Sequence, residues 1–225
     1  MIAAMLTGCD GAPGSSSLPE GIDHLIYAVA DLENGMDEIE RLLGVRPIAG
    51  GRHPDYGTHN ALLSLGPTTY LEIMAPDPDL PRPGRGLLFD MDNVKESRLA
   101  RWVLRSEAIQ DAVAAAASAG LDLGTVQSGS RRKPDGSVLA WQLTDPYAMP
   151  LGGAVPFLIS WGETRHPAKA APRAGELIGL RIEHPDPDTV LQALEALGVE
   201  VDVSAGDTLR IVATIRTAGG EVELH

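Results

Sequence analysis

Three side chains early in the chain carry donors that could act together on a metal ion or a proton. His24 lies in the run Ile22-Asp23-His24-Leu25-Ile26-Tyr27-Ala28-Val29, where strand alternation puts it on one face with Ile26 and Ala28. Glu72 lies in Leu71-Glu72-Ile73-Met74 and shares a face with Tyr70 and Met74. A carboxylate inside such an apolar strand is costly unless it is paired or metal-bound. His59 alternates with Ala61, Leu63 and Leu65, a polar group on an apolar face. Two histidines and one carboxylate suit a divalent ion such as Fe, Mn, Zn or Ni. The alternative is a plain hydrogen bond between His24 and Glu72, with no metal.

Other candidates concern substrate binding. Arg52-His53-Pro54-Asp55 follows two glycines and precedes a strand, which fits an active-site lip or a solvated turn. Arg131 precedes the turn Pro134-Asp135-Gly136 and could grip an anion, since guanidinium matches carboxylate geometry. Trp102, Trp141 and Trp161 all fall in strand-like segments of a chain with only 4% aromatic residues. That concentration predicts a pocket wall, with core packing the expected role of at least one of the three.

These side chains need a scaffold, and the chain repeats one pattern three times. Each repeat starts with an apolar strand: Ile22 to Val29, Leu99 to Arg105, and Leu177 to Ile182. A helix-period segment follows in each case: Asp31 to Leu43, Glu107 to Ala119, and Asp188 to Leu197. Acidic residues at the helix starts can cap them, and Gly44, Gly120 and Gly198 stand where left-handed C-caps are expected. Three further strands then complete a βαβββ unit. The expected fold class is α+β, with tandem βαβββ modules whose curved mixed sheets form a shared cleft, plus a third, degenerate βαβββ unit. The expected division is a flexible N-terminal tail over 1–20, a two-module domain over 21–165 with modules 21–78 and 97–163, and the third unit over 175–225.

At this level the chain resembles the glyoxalase-like branch of the vicinal oxygen chelate superfamily. The resemblance rests on Asp23-His24-Leu25 with Asp31-Leu32, Gly50-Gly51-Arg52-His53-Pro54, Gly57-Thr58-His59-Asn60 and Tyr70-Leu71-Glu72. In the second module it rests on Arg131, Pro134-Asp135-Gly136, Trp141 and Pro156-Phe157-Leu158-Ile159-Ser160-Trp161-Gly162. It implies a divalent metal in the shared cleft, bound from the first and last strands of each module, that polarises adjacent substrate oxygens as a Lewis acid. On that basis His24, Glu72 and His59 are the expected metal ligands, and Glu72 and His59 the expected catalytic residues. Arg52, His53, Asn60, Arg131, Trp141 and Trp161 are expected to bind substrate. Lyase, isomerase and dioxygenase chemistry all suit such a site. The second module departs from the pattern: the position matching His24 falls near Ala100, and Val155 to Trp161 has no ligand-type side chain. The alternative is therefore a metal-free protein that binds or sequesters a small ligand.

Composition sets the outer limits. Eighteen basic against 31 acidic residues give a net charge of −13, which disfavours nucleic acid as a partner. A small molecule is the expected partner, with a homodimer through the third unit left open. The single cysteine, Cys9, leaves no internal disulfide and no multi-cysteine metal cluster. No apolar run approaches the roughly 18 residues of a membrane span. Leu6-Thr7-Gly8-Cys9 matches a lipoprotein cleavage box, but no basic residue precedes it. A cytoplasmic location is expected; a lipid anchor at Cys9 is the alternative if the true start lies upstream.

Overall fold

The computed structural model describes residues 18–132 and 138–225. Cys9, most of the expected 1–20 tail and the Pro134-Asp135-Gly136 turn lie outside them. The first module comprises β1 (Ile22–Ala28), α1 (Leu32–Leu43), β2 (Ile48–His53), β3 (Thr58–Ser64) and β4 (Tyr70–Pro76). The second repeats the order with β5 (Arg98–Arg105), α2 (Ile109–Ser118), β6 (Val126–Arg132), β7 (Val138–Thr144) and β8 (Phe157–Ser160). Together they form one eight-stranded mixed sheet in the order β2-β3-β4-β1-β5-β8-β7-β6. The first strand of each module pairs in parallel with its last, and β1 and β5 join the modules antiparallel. The strongly curled sheet makes a half-barrel whose concave face is the cleft.

Both faces of the central strands are buried, and they serve different ends. On the convex face Leu25, Tyr27, Leu71 and Ile73 pack in one core with Met36, Ile39 and Leu43 of α1. That helix is set by its ends. Asp31 accepts the Asn34 N–H at 2.9 Å, and Gly44 closes it at φ 77°. α2 departs from expectation: its N-cap is Ala108 with no side-chain bond, so Glu107 does not cap it. Trp102 belongs to this core, fully buried with its indole N–H on the Ala154 carbonyl at 2.8 Å; it is not a pocket wall. On the concave face Ile26, Ala28, Met74, Val103, Phe157 and Ile159 form a second cluster.

The third unit is β9 (Gly175–His184), α3 (Pro187–Glu195), β10 (Asp202–Ala205), β11 (Arg210–Thr217) and β12 (Gly220–Leu224). Its element order matches the modules but its sheet order does not. It forms a separate sheet, β10-β9-β11-β12. Its apolar residues, including Leu180, Ile182, Val190 and Ile215, join the convex-face core, so it packs against that face and does not cap an edge of the large sheet. The segment leading into it hydrogen-bonds to Ser64 at the end of β3, and Leu177 within β9 donates to the Leu65 carbonyl just beyond. Among the described residues, no helix is long and apolar enough to cross a membrane.

Candidate functional site

Register explains which side chains meet in the cleft. Ile26 lies beside Glu72 on paired β1 and β4, Leu62 sits opposite Glu72 and Asn60 opposite Met74. His24, Asn60 and Glu72 therefore share the concave face, as alternation predicts for His24 and Glu72. His24 Nε2 lies 3.5 Å from Glu72 Oε2. The other carboxylate oxygen, Oε1, accepts from Asn60 Nδ2 at 2.5 Å and lies 4.0 Å from His53 Nε2. Tyr70 stacks on the His24 ring at 4.6 Å between centroids.

Asp23 organises the site from behind. A register shift between Ile22 and His24 in the β1–β5 ladder breaks the alternation locally, so consecutive residues act together. Asp23 is fully buried. Its Oδ1 lies 2.8 Å from His24 Nδ1, and its Oδ2 accepts from Trp161 Nε1 at 3.0 Å and lies 3.0 Å from His166 Nε2. Burial is the largest single influence and opposes ionisation. The hydrogen bonds from His166 and His24, with the electrostatic attraction of both imidazoles, together outweigh it and hold the carboxyl at about 2. An ionised carboxylate only accepts, so His24 Nδ1 and His166 Nε2 carry the protons. His166 Nδ1 accepts the Ala168 N–H at 3.2 Å, which makes that ring neutral. His24 thereby presents Nε2 to Glu72 and to the cavity.

The cavity in front of this pair holds about 610 Å³ of space, part of it open to solvent. Trp141, Trp161, Phe89, Phe157 and Tyr56 contribute its aromatic walls, and the two indoles meet at 5.8 Å.

Several expected site residues stand elsewhere. His59 pairs opposite Ala75 and Arg52, one residue out of phase with Asn60, and so faces away from Glu72; it is not part of the His24–Glu72 cluster. Arg52 and His53 end strand β2 and do not form a loop lip. Arg52 Nε donates to Asp77 at 2.6 Å and its Nη2 to Asp79 at 2.6 Å, which ties it away from the cleft. Neighbouring His53 faces the cavity, as do Trp141 and Trp161. Arg131 contributes backbone to β6; the anion contact expected of its side chain lies outside the described residues.

The chain matches the family model for the glyoxalase-like domain over residues 22–198. It belongs to that family. A hypothetical protein from Staphylococcus aureus has a similar structure, with a TM-score of 0.60, 14% identity, and coverage of 90% of this chain and 83% of that one. A methylmalonyl-CoA epimerase from Mycobacterium tuberculosis aligns at TM-score 0.42 and 20% identity, over 64% of this chain and 88% of its own. A Streptomyces coelicolor methylmalonyl-CoA epimerase variant in complex with 2-nitronate-propionyl-CoA aligns at 0.42 and 15%, over 65% and 98%. No curated protein matches the chain by sequence.

A glyoxalase-like domain that held its metal between two modules would draw donors from both. The first module offers His24 Nε2 and Glu72. In the second, β5 ends at Arg105 and α2 starts at Ile109, against Ala28 and Leu32 in the first, a constant offset of 105 − 28 = 109 − 32 = 77. That offset carries His24 onto Arg101, not Ala100, and Ile26 onto Val103. Since Ile26 pairs with Glu72 and Val103 with Phe157, the counterpart of Glu72 is Phe157. A guanidinium and a phenyl ring ligate no cation. Among the described residues no group of three or more His, Cys, Asp or Glu side chains is arranged to hold a metal. The donor set does not fit the two-module metal site that the sequence suggests.

Proposed function

We propose that this glyoxalase-like protein is a small-molecule enzyme whose chemistry is proton transfer by the His24–Glu72 pair. The observation that carries the reading is a titratable pair 3.5 Å apart in a largely apolar, aromatic cavity that His53 and Asn60 also line. With Nδ1–H committed to Asp23, His24 Nε2 and Glu72 Oε2 face each other as two acceptors. A proton on either, or a polar ligand atom between them, resolves that contact. A substrate whose acidic C–H or O–H reaches this point can lose its proton to one group and regain it from the other, as isomerases and lyases require. Asn60, bonded to Oε1, holds the Glu72 carboxylate in place, and the walls exclude competing water. The substrate fitting these walls is a small molecule with an apolar or aromatic body and a polar group beside its acidic proton.

The second reading is a binding protein without turnover, favoured by the preponderance of aromatic walls over polar groups. Proton exchange separates the two. Small carbonyl and oxyacid compounds that bind the protein are incubated in D2O, and deuterium uptake is followed by NMR. The enzyme reading expects uptake that falls at least about 100-fold in Glu72→Gln and His24→Ala. Tight binding without exchange in any bound compound establishes the binder. Metal analysis of the same preparations adds a check: stoichiometric metal lost in both variants would replace proton transfer with a metal-centred reaction.

A further inference from the structure

The second module holds a charge that the His24–Glu72 pair does not use. Arg101 on β5 is fully buried. Its Nη2 donates to the Val155 carbonyl at 3.2 Å, while Nε and Nη1 have no partner. Burial draws the guanidinium down to about 10, so it stays charged at neutral pH. A buried cation left without an anion is strongly unfavourable, and orphaned donors of this kind call for a missing partner. The packing is built around its stem: a Cβ at Gly153 would come within 3.1 Å of Arg101 Cδ.

Two rings stand both against this cation and against the cavity. The Arg101 guanidinium carbon lies 5.8 Å from the Phe89 ring centroid and 5.5 Å from that of Phe157. The rings stack at 6.3 Å, and both also line the cavity. Phe157 is fixed on β8. Phe89 is not on a strand: it and Asp90 adopt φ of 55° and 56°, a conformation that bulky residues rarely hold.

We propose that Arg101 is the anion-binding end of the cavity: with the Phe89 ring displaced, one of its unpartnered N–H groups donates to the carboxylate of a ligand whose apolar body lies among the aromatic walls. Such a ligand supplies the anion the guanidinium lacks and replaces the covering phenyl ring with its own body. The inference rests on the cavity as the ligand site but not on proton transfer.

Benzoate and its uncharged counterpart benzamide test it, because they share a ring and differ in the charge. By titration calorimetry, wild type should bind benzoate at least about tenfold more tightly than benzamide. Arg101→Met should bring the two within about twofold. Phe89→Ala, which removes the ring that must move, should bind benzoate more tightly than wild type. Glu72→Gln should keep the benzoate preference, so failure of the proton-transfer reading leaves this result untouched. Equal binding of the two probes in wild type and Phe89→Ala, or a preference that survives Arg101→Met, overturns the proposal. If Arg101→Met does not fold, the Arg101 Nε–H resonance of the wild type decides: a shift with benzoate alone supports the site, and no shift with benzoate refutes it.

Discussion

Replacing Asp23 by asparagine should destabilise the protein by an amount that depends on pH. The carboxylate takes contacts from His24, Trp161 and His166 within 3.0 Å. Asparagine keeps one acceptor oxygen and turns an amide toward the remaining donors, which leaves about 1–3 kcal/mol of unmet hydrogen bonding at any pH. A second contribution comes from ionisation. The Asp23 carboxyl is lowered from the ordinary 3.8 to about 2, and at about 1.36 kcal/mol per unit this is about 2 kcal/mol. Because the folded value is depressed, that stability is complete above 3.8 and disappears as pH falls through about 2. Urea unfolding of wild type and Asp23→Asn, followed by circular dichroism from about pH 5 to about pH 2, should show the gap narrowing by about 2 kcal/mol. A gap that stays constant over that range would refute the account of Asp23 as an ionised hub.

Three further outcomes follow from single contacts. His59→Ala should leave turnover within about twofold of wild type in the exchange assay, because the side chain faces away from Glu72; a large loss would restore His59 to the site. Gly129→Ala places a Cβ about 2.5 Å from the Trp141 ring, so the indole must move; a change in tryptophan emission and weaker ligand binding at a cost of about 1–3 kcal/mol are expected, and unchanged emission counts against it. Gly35→Ala puts a Cβ 2.7 Å from Val29 Cγ2 where α1 crosses the chain after β1. It should cost about 1–3 kcal/mol in chemical denaturation despite the better helix propensity of alanine; equal stability would refute the close approach.

What was legible in the sequence divides along one physical line. Period-two alternation is local, so His24 and Glu72 were readable as partners on one face, and helix periodicity located α1 and α3 to within a residue or two. Alternation cannot say which face of a strand is concave when both are apolar. On β3 the apolar set with His59 faces the helices, while Asn60 and Leu62 face the cleft. Asp23 escaped because a register shift suspends alternation at that point. His166 escaped because it sits in the connection after β8, 143 positions from the aspartate it contacts. On β5 the sequence places the match to His24 near Ala100 and does not single out Arg101, because no local signal fixes the register of the second module to the residue.

The third unit shows why an identical element order need not build an identical module. In the two modules the first strand lies at the inner edge, paired with the fourth on one side only, so β1 and β5 each have a free edge for the other. That single pairing fuses two half-sheets and creates the cleft. In the third unit β9 is flanked by β10 and β11, and both its edges are used. It has nothing to offer a neighbouring first strand, so it can extend no cleft and instead buries its apolar face against the convex core. The cleft therefore belongs to the fused pair, and its polar side chains are placed asymmetrically. The first module keeps His24 and Glu72, while the dyad-related positions carry Arg101 and Phe157. In place of matching donors from both modules the cleft carries the His24–Glu72 pair on one side and a buried cation on the other, and under the two proposals above that arrangement suits a ligand with two unlike ends.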